Sequence, residues 1–480
     1  MTSTATLRDR IVGLDCPVPL LDGSEAPYLN LDNAASTPAL RDVLDAIERF
    51  LPYYASVHRG TGFKSRLSTD AYDRAHRVVG AFVGADLDRN TVIFGKNSTE
   101  AVNKLSYRLE LGPESVILSS QLEHHSNDLP WRRCAQVVHV RATRDGRLDE
   151  EDFDRQLRRY ADRVALVAVS GASNVSGFVQ PIHRLARKAH AAGARILVDA
   201  AQLAPHRKVD MLPDDHPEHL DFVVLSAHKM YAPFGTGALI GPKELFAHTP
   251  PEYRGGGTVD AVTMDHVVWA GTPDREEAGS PNVIGAVAMA AAATALMEIG
   301  MDAVADHENE LVVRALERLG AIPGVSIYGE GDPAKSRDKV GVIPFNLGTV
   351  PHALVAAILG YEGGIGVRHG CFCAHPYVVH LLQLSDEEAA TWHAAIARGD
   401  KSEMPGMVRA SFGCYNTLED IDRLTEMLER IARGDYRGRY QQRKSGEYLP
   451  EGFEERFRGY FEVEEPDEVA GKGGGRSCGG

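Results

Sequence analysis

The chain reads as an α/β fold, a mostly parallel sheet with helices on both faces. Three observations predict it. Apolar, β-branched runs alternate with helical patterns up to Gly241, which is the order of a βαβ sheet. Runs such as Ile196-Leu197-Val198 and Phe222-Val223-Val224-Leu225 are apolar at consecutive positions, as buried strands are. These runs end in acidic, Gly-rich or hydroxyl-bearing turns, which puts polar side chains at the mouth of the sheet, where such folds bind ligands.

The bulk numbers narrow the classes. At 480 residues the chain can bury one or two substantial cores, with two lobes the natural expectation. Hydrophobic content of 43% and charged content of 25% are ordinary for a soluble globular protein. A net charge of −15 argues against nucleic-acid and anionic-membrane partners. Met1–Arg10 has no apolar core, so no secretory signal is expected there. The Ala-rich run Val283 to Met297 is short for a bilayer span and reads as a buried helix. Six cysteines make no disulfide framework, so reduced thiols and a cytoplasmic location are expected.

Residues 1–27 read as a leading helix and loop. Tyr28-Leu29-Asn30-Leu31-Asp32-Asn33-Ala34-Ala35-Ser36-Thr37-Pro38 reads as a turn of small residues with Pro38 opening a helix. Val57-His58-Arg59-Gly60 is a basic turn. Thr91 to Phe94 reads as a strand, and Asn97 with Glu100 three residues on has the pattern of a capping box. The free N–H groups of that helix and the Ser98 and Thr99 hydroxyls suit a phosphate. The adjacent His124 and His125 lack a third ligand, and neighbouring side chains point apart, so no metal is expected. Val164 to Val169 is a strand that leads to Asn174, and an amphipathic helix follows from Ile182 to Ala192. The strand Ile196-Leu197-Val198 ends in Asp199, and thirty positions later the next strand ends at Ser226-Ala227-His228-Lys229. A desolvated lysine there can lose its proton and attack a carbonyl. Beyond Gly300, Leu311, Val312, Ala315, Leu316 and Leu319 recur at helical spacing, and Val340 to Leu347 reads as a strand.

Lys229 paired with Asp199, with these motifs in this order, resembles the class V aminotransferase family of fold-type I pyridoxal 5′-phosphate (PLP) enzymes, in its cysteine desulfurase and selenocysteine lyase branch. The match runs from about Tyr28 to about Arg433. The resemblance implies a large domain at 28–299 with a seven-stranded, mostly parallel sheet, and a smaller α+β domain at 300–435. Residues 1–27 would pack on the small domain, and 436–480 would be a C-terminal extension with a disordered end. It also implies PLP, held by Lys229 as a Schiff base, with Asp199 on the ring nitrogen and His124 over the ring. Asn174 and Gln202 would hold the ring oxygen, and Ser98, Thr99, Ser226 and His228 the phosphate. Ser280 would reach the neighbouring subunit's cofactor phosphate, which implies a homodimer with shared active sites. Arg409 would clamp the substrate carboxylate, a task suited to its planar fork, with Arg368, Arg59, Ala34 and Ala35 nearby.

Cys373 stands where desulfurases of this branch carry their sulfur-accepting cysteine. Lys229, Cys373 and His124 are therefore the expected catalytic residues, acting on L-cysteine or a related amino acid and passing sulfur to an acceptor protein. Three features depart from the pattern: Cys371 replaces a usual histidine, the gap from Cys373 to Arg409 is long, and a tail follows Asp435. Whether Cys371 or Cys373 carries sulfur stays open on sequence. So do a C–S or C–Se lyase or another class V aminotransferase-type reaction that forms no persulfide, and a PLP-binding sulfur-trafficking scaffold without turnover. A metal cluster of Cys371, Cys373, His375 and Cys414 matches no standard zinc spacing.

Overall fold

The structure is a computed structural model and describes residues 7–58, 60–454 and 457–463. Arg59 and the end of the tail, with Cys478, lie outside the described residues.

Seven strands form the central sheet: β1 (Asn90–Gly95), β2 (Val116–Ser120), β3 (Gln136–Val140), β4 (Val164–Ser170), β5 (Arg195–Asp199), β6 (Phe222–Ser226) and β7 (Gly237–Pro242). Their order is β1-β7-β6-β5-β4-β2-β3, and only β7 runs antiparallel to its neighbours. Side chains alternate between the two faces. In β4, Val167 and Val169 join the core on one face while Leu166 and Ala168 join the core on the other. Both faces are thus covered, which is why the inner strands carry consecutive apolar residues such as Leu166-Val167-Ala168-Val169. Each such Leu, Ile or Val contributes about 1.5–3 kcal/mol by leaving water.

Among the helices that cover the sheet and build the rest are α1 (Arg41–Phe50), α2 (Phe63–Phe82), α3 (Ser98–Arg108), α4 (Ile182–Ala191), α5 (Val283–Ile299), α6 (Met301–Gly320), α7 (His352–Gly363) and α8 (Leu418–Ala432). The Ala-rich α5 packs against α1 and α2, and its small side chains permit that approach. No single helix among the described residues is long and apolar enough to cross a membrane. α1 starts at Arg41, not at Pro38. The residues between are spent on tertiary bonds: Thr37 N–H donates to the His228 carbonyl at 2.9 Å and Val12 N–H to the Ala39 carbonyl at 3.0 Å.

A second sheet holds β8 (Val325–Ile327), β9 (Val342–Leu347), β10 (Arg368–Gly370) and β11 (Met407–Ser411) in the order β8-β9-β11-β10. Its core joins Leu311, Leu316 and Leu319 of α6 to Ile343, Phe345, Val408 and Leu424. Leu29 and Leu31 belong to this core as well, because Leu29–Asn30 pairs in parallel with Ile365–Gly366. The strand pair Tyr440–Gln442 and Tyr448–Pro450 lies beside α7, and the Glu362 carboxylate accepts the Arg437 and Gly438 N–H groups.

Candidate active site

The C-terminal ends of β1, β2, β4, β5 and β6 come to one edge of the large sheet. Ser170 pairs with Asp199, and Asp199 with Val224 two residues before Ser226, so the ends of three strands lie side by side. A pocket of about 290 Å³ opens there. The large sheet contributes Ser98, Thr99, His124, Asn174, Asp199, Gln202, Ser226, His228 and Lys229 to its wall. The N-terminal loop and second sheet contribute Ala34, Ala35, Arg368, Cys373 and Arg409. Residues separated by hundreds of positions therefore share one cavity.

β1 feeds α3 through Asn97, whose side chain accepts the Glu100 N–H at 3.0 Å. The Glu100 carboxylate accepts from Lys96 N–H, one residue earlier than a capping box requires. Ser98 N–H donates to Ser226 Oγ at 3.3 Å, and Thr99 Oγ1 meets Ser126 Oγ at 2.7 Å. A cluster of donors thus gathers at a helix N-terminus, which favours an anion. Gly237 makes the closeness feasible, because a Cβ there would stand 2.5 Å from the Asn97 backbone.

Lys229 closes the tight turn Ala227–Lys229 after β6. The His228 carbonyl accepts from Ser36 Oγ at 3.1 Å, and Tyr231 N–H donates to Thr37 Oγ1 at 2.8 Å, so the Ala34–Ala35 loop is tied to the lysine. Burial pushes the Lys229 amine down to about 8, with Arg409 adding to the effect and Asp199 opposing it. Burial likewise raises the Asp199 carboxyl, whose Oδ1 accepts the Ala201 N–H at 3.0 Å. His124 Nδ1 accepts the Ser126 N–H at 3.1 Å, so the proton of the neutral ring sits on Nε2. Burial and the nearby lysine push this imidazole down to about 3, and burial takes His228 down to about 4. Gln202 donates toward His206 Nε2 at 3.1 Å, and its buried Oε1 has no partner.

The two arginines converge on one acid. Arg409 Nη2 donates to Asp32 Oδ1 at 2.8 Å, and Arg368 Nε donates to Asp32 Oδ2 at 2.9 Å. Arg409 Nη1 donates to the Asn174 carbonyl at 2.9 Å, its Nε is buried without a partner, and its guanidinium stacks over Phe372 at 4.9 Å. The Asn174 amide donates to the Phe372 carbonyl at 2.8 Å, so it anchors the cysteine loop.

Phe372 and Cys373 both adopt left-handed backbone, with φ of 51° and 54°. Two adjacent non-glycine residues in that region store strain and turn the Cys373 side chain outward. Cys373 is exposed, and its carbonyl accepts the His125 N–H at 2.8 Å. Cys371 is buried, its thiol directed at the Pro405 carbonyl at 3.1 Å, and burial pushes it up to about 12. Cys414 is pushed up to about 11 in the same way. Among the described residues these cysteines do not form a group with metal-ligand spacing.

Ser280 lies outside this pocket, exposed on the loop after Glu277. Several pocket-shaping residues went unassigned on sequence. Asp32 lies in the quoted N-terminal stretch, but its arginine partners are 336 and 377 positions away. Glu123, the residue before His124, is buried and accepts from Ser120 Oγ, Ser170 Oγ and N–H, and Asn127 Nδ2, and burial pushes it up to about 7. Its position next to His124 was the one available signal.

The family model described as aminotransferase class-V matches residues 29–424. A cysteine desulfurase of Haloferax volcanii is 34% identical over 432 residues, covering 88% of this chain and 93% of the relative. A probable cysteine desulfurase 2 of Mycobacterium leprae is 35% identical over 412 residues, covering 84% and 90%. Among solved structures, the apo cysteine desulfurase of Thermococcus onnurineus NA1 superposes with a TM-score of 0.74 at 30% identity, covering 85% of this chain and 95% of that one. The Escherichia coli cysteine desulfurase CsdA gives a TM-score of 0.73 at 26% identity, covering 90% and 99%. With a family match across most of its length and relatives of this similarity, the chain belongs to the class-V aminotransferase family.

Proposed function

We propose that this chain is a PLP-dependent cysteine desulfurase that removes sulfur from L-cysteine, releases alanine and carries the sulfur as a persulfide on Cys373. The observation that carries the reading is the exposed Cys373 thiol in one pocket with Lys229 and Asp199. The pocket's chemistry fits PLP. A buried carboxylate with one backbone bond, a buried Gln202 oxygen without a partner and a donor-rich helix N-terminus answer a ring N–H⁺, a polar ring substituent and a phosphate.

Asp199 would hold the ring nitrogen, Asn174 and Gln202 the ring oxygen, and Ser98, Thr99, Ser226 and His228 the phosphate. Bound through Lys229, PLP supplies an electron sink that weakens the substrate's Cβ–Sγ bond. Arg409 holds the substrate carboxylate, its unpartnered Nε available and Arg368 beside it. Lys229 moves the proton at Cα, a task suited to an amine pushed down to about 8. The Cys373 thiolate attacks the substrate sulfur; the S–S bond forms, the Cβ–Sγ bond breaks, and the carbon takes up a proton to leave alanine. Cys371, held as a thiol by burial, is not the acceptor.

A homodimer is supported by a hairpin, Val259–Val262 with Val267–Trp269, next to the Ser280 loop. It exposes Val262, Met264 and Val268, and Gly279 N–H bonds the Gly256 carbonyl at its base at 2.7 Å. A second copy covering that apolar face would bring Ser280 toward the partner's phosphate site. Sulfur transfer to an acceptor protein needs a reduced thiol, which supports the cytoplasm.

The test is incubation of purified protein with L-cysteine, followed by alanine assay and mass mapping of Cys373. Pyruvate and ammonia in place of alanine, or full alanine release from Cys373→Ala, would overturn the assignment.

A further inference from the structure

We propose that His190, His219 and Asp221 form a binding site for a divalent cation of the zinc class, at the edge of the large sheet opposite the active site. His190 lies in the last turn of α4, His219 in the loop before β6, and Asp221 immediately before Phe222. Their ligand atoms all lie within 4.8 Å of one another.

The hydrogen bonds fix the tautomers. His190 Nδ1 faces the Pro217 carbonyl at 3.0 Å, and His219 Nδ1 faces the His216 carbonyl at 2.7 Å. A carbonyl only accepts, so each ring carries its proton on Nδ1. The two Nε2 atoms then face Asp221, that of His190 at 2.9 Å from Oδ2 and that of His219 at 3.5 Å from Oδ1. Something positive must stand between these nitrogens and the carboxylate: a second proton on His190 Nε2 serves its own contact with Oδ2, whereas a divalent ion would replace that proton and reach His219 Nε2 as well. A single proton on His190 leaves the 3.5 Å contact of His219 Nε2 unserved, and protonating both rings would stack two like charges, since the rings lie at 4.2 Å with 21° between planes. One divalent ion satisfies both nitrogens and the carboxylate together.

The surroundings agree. The Nδ1–H to carbonyl bonds are the outer-shell contacts that orient ligating histidines. Asp221 Oδ2 also accepts the Ile196 N–H at 2.8 Å, which holds the acid at the start of β5. The C-terminus of α4 carries the negative end of its dipole, which favours a cation. Two imidazoles and one carboxylate select the zinc class over magnesium or calcium and leave a fourth position for water. With side chains 19%, 20% and 12% exposed, the site is open to solvent. A bound ion would staple α4 to the loop that enters β6, whose far end carries Lys229.

The experiment uses chelator-treated holoprotein carrying Cys16→Ser and Cys373→Ser, which removes the thiols exposed among the described residues. Titration with ZnCl2 by calorimetry is expected to show one saturable equivalent per chain and a rise in melting temperature. His219→Gln and Asp221→Asn are each expected to weaken zinc at least about tenfold, and Asp221→Asn keeps the acceptor for Ile196 N–H. A parent protein whose heat signal and melting temperature both ignore zinc overturns the site whatever the variants do. So does zinc binding that is identical in the parent and in both variants. Neither readout depends on desulfurase turnover.

Discussion

Cys371 and Cys373 lie two residues apart and differ in what they can do. Burial leaves Cys371 a thiol, pushed up to about 12, while the left-handed backbone at Phe372 and Cys373 presents the second sulfur to the pocket. Cys371→Ser is therefore expected to keep near-parental alanine release and a persulfide on residue 373, measured by product assay and peptide mass. In the proposed reading, Lys229 sets the pH dependence of cofactor capture. Its amine is pushed down to about 8, so the neutral, attacking form grows as pH rises through that value. Reconstitution of cofactor-free protein with PLP, followed by absorbance, should slow by about tenfold per pH unit below it and level off above it. A rate that falls as pH rises from 7 to 9 would contradict the lysine environment.

Elements act here by bringing their ends close together. β7 lies between β1 and β6, and Gly237 stands opposite Gly95 on one side and Ser226 on the other. A methyl at that position meets the Asn97 backbone at 2.5 Å and the Leu225 carbonyl at 2.7 Å, and neither can turn aside. Gly237→Ala is expected to cost about 1–3 kcal/mol by overpacking. It should also loosen PLP, because the displaced Asn97 caps the helix that carries Ser98 and Thr99. Thermal melts and PLP retention on dialysis check this; unchanged values for both would show that the turn relaxes freely. The cysteine loop is a second such element. Asn174, His125 and Arg409 hold it from the large sheet and the second sheet at once.

For the molecule as a whole, the site depends on two lobes and, in the proposed dimer, on two chains. Met264 at the hairpin tip is 99% exposed, beside the partly exposed Val267 and Val268. Met264→Glu with Val268→Glu is expected to shift the protein from dimer to monomer by light scattering and to weaken cofactor binding, because Ser280 would lose its target. Mixed dimers give a sharper check. Co-assembly of a Lys229→Ala chain with a Ser280→Ala chain should restore activity that neither homodimer shows, since one site then has both residues. Restoration must fail if Ser280 serves its own chain.

Much of the fold was legible in the sequence because its signals are local. A strand buried on both faces carries consecutive apolar residues, a helix cap is a short polar pattern, and Asp199 ends one such strand while Lys229 lies in the turn after the next. What the sequence could not decide depends on distance through space. Only the folded chain sets Arg409 and Arg368 on Asp32, ties Asn174 to the Phe372 carbonyl, and turns Cys373 outward while burying Cys371. The physical reason is that propensity and periodicity act over a few residues, whereas burial and charge pairing join positions hundreds of residues apart.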